Sequence, residues 1–162
     1  MAVREILRYP HRALKTPARE AADPAEVERV TRDLLDTMES FGHCVGIAAP
    51  QLGELVRIAV VDVRGHRKAL TDNGRLVLVN PRVVSAQGAE VGREGCLSIP
   101  DLTADVRRAT EIEVVADGGV EARCEGFEAR CVLHELDHLD GILFLDRVDS
   151  LARDVFRRKR YA

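Results

Sequence analysis

Apolar positions change their period along the chain, and the changes divide it into elements. Asp23-Pro24-Ala25-Glu26 opens a helix, with Asp at the N-cap, Pro at the first position and Glu at the third. Val27, Val30, Leu34, Met38 and Phe41 follow at spacings of three and four. That predicts an amphipathic helix over 24–41, ended near Gly42, with its apolar stripe on a core. Residues 56–63, VRIAVVDV, form an apolar run between Gly53 and Gly65 and read as a strand. A second short strand over 76–79 precedes Asn80-Pro81. Strands over 111–116 and 120–124 flank Asp117-Gly118-Gly119, a hairpin turn. Helical spacing returns over 127–139, between Gly126 and Gly141, with Phe127, Cys131, His134 and His138 on one face. Residues 149–160 are read as a last helix. Strands in sequence, with helices at both ends and one late in the chain, predict an α+β fold.

Composition narrows the picture. The chain has 162 residues, which predicts a single domain over 1–162. It is 46% hydrophobic and 31% charged, as an ordinary globular protein is. Four Phe, two Tyr and no Trp are too few rings for a base-stacking platform, so the core must be aliphatic and single-stranded nucleic acid is not an expected ligand. No apolar run is long enough for a transmembrane helix. The start, MAVREILRYPHRALK, lacks the apolar stretch and cleavage site of a secretory signal. A cytoplasmic location is therefore expected, without DNA or membrane partners. There, Cys44, Cys96, Cys124 and Cys131 are expected as thiols, core residues or metal ligands.

Net charge is −3 but unevenly spread. Residues 153–160, RDVFRRKR, carry five cations against Asp154, a local +4 that leaves −7 on the rest. A basic tail on an acidic body suits an anionic partner, although cations also suit a solvated helix C-terminus.

The sharpest chemical feature is His134-Glu135-Leu136-Asp137-His138, an H-E-x-x-H pattern. On a helix, residues four apart share a face, so both imidazoles can reach one metal ion. Glu135 lies beside the first of them, placed to take a proton from water. A catalytic metal usually has three protein ligands. Downstream of His138 the chain has no His and no Glu, only Asp140, Asp146, Asp149 and Asp154, which leaves a thiolate as the best remaining candidate. Taken singly, each cysteine also reads as a small buried hydrophobe.

Three segments in order, Gly46-Ile47-Ala48-Ala49-Pro50-Gln51, Glu94-Gly95-Cys96-Leu97-Ser98 and the H-E-L-D-H-L-D-G run from His134, resemble the peptide deformylases. Tyr9-Pro10 and the I-L-F-L-D-R run after the third motif extend the resemblance over the whole chain. It implies antiparallel or mixed sheets around a central helix that carries H-E-x-x-H. It implies one divalent metal per chain on Cys96, His134 and His138: Fe²⁺ natively, with Zn²⁺, Ni²⁺ or Co²⁺ able to take the site. It implies hydrolysis of the N-formyl group from the first methionine of new polypeptides, with Glu135 moving the proton. The Gln51 amide and the Leu97 N–H are the implied oxyanion donors. The Gly46 backbone is implied to pair with the substrate, with Val45, Phe127 and Cys131 as walls of the methionine pocket. It also implies a monomer, whose basic C-terminal helix contacts the ribosome.

Two positions depart from the family pattern. Cys44 stands where the first motif has Gly, and Leu133 where Gln commonly precedes the first metal histidine. Cys44 is the one support for an alternative, a formyl or acyl amidase of the same fold with another substrate.

Overall fold

The computed structural model describes residues 3–159. Helix α1, Pro24–Ser40, starts where the sequence predicts: the Asp23 carboxylate accepts the Ala25 N–H at 3.0 Å. Strand β1, Gly46–Ala48, leads into a 3₁₀ turn, Ala49–Leu52. Next come β2, Ile58–Val61, and β3, Leu76–Val79. Three longer strands follow: β4, Arg82–Gln87, β5, Glu90–Cys96, and β6, Ile99–Arg108. Strands β7, Glu111–Ala116, and β8, Val120–Glu125, close the hairpin over Gly118 and Gly119, both at positive φ. Helix α2, Gly126–Leu139, carries the H-E-x-x-H run.

Among the described residues the strands form three antiparallel sheets, ordered β1-β2-β3, β4-β7-β8 and β5-β6 with a C-terminal strand. Strand β2 is buried at every position because it is covered on both faces. Ile58 and Val60 meet the Val30, Leu34 and Met38 stripe of α1, while Val61 joins Val132 and Leu136 of α2. A fully covered strand needs no alternation, hence the unbroken apolar run. Helix α2 also packs on the second sheet, through Ile112, Val114, Ala122 and Cys124. A third cluster joins Leu14, Cys96, Ile99, Val106 and Phe144.

The expected helix over 149–160 is corrected. Only one turn forms, α3, Leu151–Asp154, and the chain then extends as β9, Val155–Arg157, paired with Leu102–Ala104 of β6. Val155 and Phe156 are a β-branched and an aromatic residue with no helical stripe behind them, and the edge of β6 offers them a ladder. Arg160, the end of the expected helix, lies outside the described residues. Strands β4 to β6 were not foreseen. Glycines and charges interrupt β5, and the alternation of Leu102, Ala104, Val106 and Arg108 in β6 ends on a buried arginine.

Candidate metal centre and active site

Cys96 ends β5 at a slip in its register with β6, where Gly95 pairs Thr103 but Cys96 pairs Ile99. Its thiol faces α2, on the same side of the strand as Glu94. There the donor atoms of Cys96, His134 and His138 lie within 4.8 Å of one another, all buried. Cys96 Sγ is 3.4 Å from His138 Nε2. Two ligands on a tetrahedral ion, with bonds of ~2.3 Å to sulfur and ~2.0 Å to nitrogen, sit about 3.5 Å apart, so the spacing fits a shared metal. The donor chemistry fits as well. Burial opposes ionisation of the Cys96 thiol, but the neighbouring charge of His138 and hydrogen bonds from both imidazoles hold it well below its usual range. A thiolate is the form that ligates.

His134 is oriented from behind. Its Nδ1–H donates to Glu94 Oε1 at 2.8 Å, leaving Nε2 for the centre. Glu94 in turn accepts two hydrogen bonds from Arg108, at 2.8 and 2.9 Å, and one from Arg130 at 2.8 Å. Burial works against its charge, but the Arg108 guanidinium and His134 outweigh burial and hold its carboxyl far below the usual range. Arg108 also pairs with Asp137 on α2, and Arg147 holds that carboxylate from the other side. Sequence reasoning missed this scaffold of Glu94, Arg108, Arg130 and Asp137. Glu94 carried a usable signal, since two residues before Cys96 on a strand means the same face. Arg108 carried none.

Glu135 sits within 4.0 Å of His134 Nε2, and its Oε2 is buried without a partner. Burial pushes its carboxyl above the ordinary range, against the pull of the two histidines. Gly46 makes room for it: a Cβ there would lie 3.0 Å from Glu135 Cγ and Oε1. Gln51 is fixed by two contacts. Its Oε1 accepts the Ala48 N–H at 3.0 Å, and its Nε2 donates to Ser98 Oγ at 3.1 Å while lying 3.6 Å from Cys96 Sγ.

A cavity of about 290 Å³ opens on this cluster. Val45, Gly46, Gln51, Leu97, Phe127 and Cys131 line it together with Cys96, His134 and Glu135. The structure thus gathers every site residue expected from the sequence around one space, except that His138 lies behind the lining, 1% exposed. Phe127 stacks on His66, with centroids 4.3 Å apart. The two departures also find places. Leu133 packs against the core shared by α2 and the sheets. Cys44 lines the cavity, and its thiol, pushed up to about 12 by burial, donates to the Gly46 carbonyl at 3.1 Å.

Known proteins are similar to this chain in sequence and fold. The family model described as polypeptide deformylase matches residues 3–154. A peptide deformylase 1 of Vibrio vulnificus is 42% identical over 163 residues, covering 98% of this chain and 94% of the relative. A peptide deformylase crystal structure from Legionella pneumophila superposes with a TM-score of 0.83 at 36% identity, covering 94% of this chain and 89% of that one. A Met-Ala-Ser-bound class I type b peptide deformylase from Acinetobacter baumannii gives 0.81 at 31% identity, with 91% and 100% covered. The chain belongs to the polypeptide deformylase family.

Proposed function

We infer that the cavity removes the N-formyl group from the first methionine of new polypeptides, with Cys96, His134 and His138 as metal ligands. The family membership supports the reaction, and the observation that carries the site is the convergence of those three donors beside Glu135 and Gln51. The amidase alternative is not favoured, because the match spans nearly the whole chain and Cys44 is accommodated by a local hydrogen bond.

A divalent cation on this donor set would supply Lewis acidity, bringing the pKa of water from ~15.7 toward ~7. Thiolate and imidazole suit Fe²⁺, Zn²⁺, Ni²⁺ and Co²⁺, and we take Fe²⁺ as the native ion. The residues do the rest. Glu135, its pKa raised by burial, accepts a proton from the attacking water and returns it to the leaving amine. The Gln51 amide and the Leu97 N–H stabilise the oxyanion; one such donor is typically worth ~10²–10³ in rate. Val45, Phe127 and Cys131 wall the methionine side chain. Strands β1 and β5 are both sheet edges, and both contribute residues to the cavity, so an extended substrate can add its backbone between them at Gly46.

Anaerobic purification, metal analysis and formate release from formyl-Met-Ala-Ser test this together. The wild type is expected to hold one metal per chain and release formate. Cys96→Ala should lose the metal. Glu135→Gln should keep it and lose ~10²–10⁴ in kcat. Retained turnover in Glu135→Gln would sink the assigned chemistry.

The same proposal places the protein in the cytoplasm, as a monomer, near the ribosome. Exposed Arg153, Arg157 and Lys159 support a contact with ribosomal RNA. Removing residues 155–162 is expected to abolish co-sedimentation with ribosomes at low salt, and unchanged co-sedimentation would remove that contact.

A further inference from the structure

Strand β9 brings one more side chain to the cavity. The Arg158 N–H donates to the Asp101 carbonyl at 2.9 Å, which pins the chain beside β6 just after the strand ends. From there the half-buried Arg158 side chain runs back over Gly95 and lines the mouth of the catalytic cavity. Gly95 is what permits it, because a Cβ at that position would collide with the Arg158 guanidinium.

Three arginines line this cavity: Arg93, Arg130 and Arg158. Two are already committed. Arg130 pairs with Glu94 at 2.8 Å and donates to the carbonyls of Glu90 and Val106. Arg93 pairs with Asp105 at 2.8 Å and lies 3.9 Å over the Phe156 ring. Arg158 forms no ion pair among the described residues. The carboxylates of the cavity do not answer it either: Glu94 is saturated by Arg108, Arg130 and His134, and Glu135 lies at the buried end. Among the described residues the mouth therefore presents one planar cation without an ion-pair partner, and its fork of donors matches a carboxylate.

We propose that Arg158 is a specificity-determining residue that binds a carboxylate of the substrate downstream of its formylmethionine. The proposal rests on the deformylase reading of the cavity. Gly95 is one residue from Cys96, and an extended chain rises ~3.4 Å per residue, so the carboxylate belongs to the first few residues after methionine. It is either an Asp or Glu side chain or the free C-terminus of a short peptide. The chemistry is the same, and the source is separable by experiment.

The test is a panel of formyl peptides assayed for kcat/KM. Formyl-Met-Ala-Ser amide is the neutral reference; the others carry Glu or Lys at the second or third residue, or end in a free carboxylate. Turnover of the reference by wild type tests the deformylase reading by itself. The wild type is expected to favour a carboxylate-bearing peptide over its Lys or amide counterpart by about 3–10-fold at low salt, less at high salt. Preference for the Glu amides assigns a side chain, and preference confined to the free acid assigns the terminus. In Arg158→Gln the ratio is expected to fall toward one, while Arg158→Lys keeps part of it. Thermal melting shows whether the Gln variant is folded. If it is not, the Lys variant and the salt dependence of the wild-type ratio decide. A wild-type ratio of one, or a ratio that survives in folded Arg158→Gln or does not respond to salt, overturns the proposal.

Discussion

Gly46 lacks a side chain where Glu135 needs space. The family resemblance implies that the Gly46 backbone pairs with substrate, and the structure adds a neighbour from within, with Glu135 Cδ 3.2 Å from where a Cβ would stand. Glu135 is 5% exposed, so it cannot swing aside into solvent. Gly46→Ala is therefore expected to displace the carboxylate rather than unfold the chain. Displacement of a catalytic group by about 1 Å costs ~10²-fold, so formate release should fall by about 10–100-fold with metal content unchanged. Full activity in Gly46→Ala would mean the carboxylate can work from another position. The residue scale is also where the sequence was most legible. His134 and His138 are read from a spacing of four, because a helix turns that interval into proximity. Cys96 lies 38 residues before His134, and no local period connects them. It became legible through family resemblance, because only the fold brings the two segments together.

At the scale of elements, β5 and α2 are fastened by Arg108. This side chain, 5% exposed, reaches from the end of β6 to Glu94 on β5 and Asp137 on α2. It thereby fixes the strand that holds Cys96 against the helix that holds both histidines. Removing it leaves two buried carboxylates with fewer cations, a change that typically costs ~3–5 kcal/mol. Arg130 and Arg147 remain as partners, which places Arg108→Met near the lower figure. A drop in melting temperature on the order of 10 °C is expected. A variant that melts with the wild type would show that the fastening lies elsewhere. Such a network is invisible in sequence, because its charges come from three elements and each alone reads as a solvated surface residue. Strand β9 illustrates a related limit. A basic segment at the end of a chain suggests a solvated helix, and only the free edge of β6 makes Val155 and Phe156 a strand.

For the whole molecule, α1, α2 and strands β2, β3, β7 and β8 were readable, because periodicity reports burial against a core. The β5–β6 hairpin was not, because its buried face carries Glu94, Cys96 and Arg108 rather than an apolar stripe. The residues that disguise the element are those that serve the site. A metal on Cys96, His134 and His138 would also join parts of the chain far apart in sequence. An ion that binds only the folded state at 100 times its dissociation constant adds ~2.7 kcal/mol. Chelation is expected to lower the melting temperature by roughly 5–10 °C, and restoring the ion to recover it. A melt indifferent to chelator would argue against those ligands.

Among the described residues, no strand of one sheet pairs with a strand of another. The first sheet carries Gly46 and the third carries Cys96. Between them the described residues form no ladder; the link is the Gln51–Ser98 side-chain bond and the N-terminal segment, whose Leu7 and Tyr9 N–H groups donate to the Gln51 and Ser98 carbonyls. A peptide strand laid between β1 and β5 would supply the missing rungs. Substrate would then be a structural member as well as a reactant, joining two sheets into one and stiffening the site for as long as it stays bound.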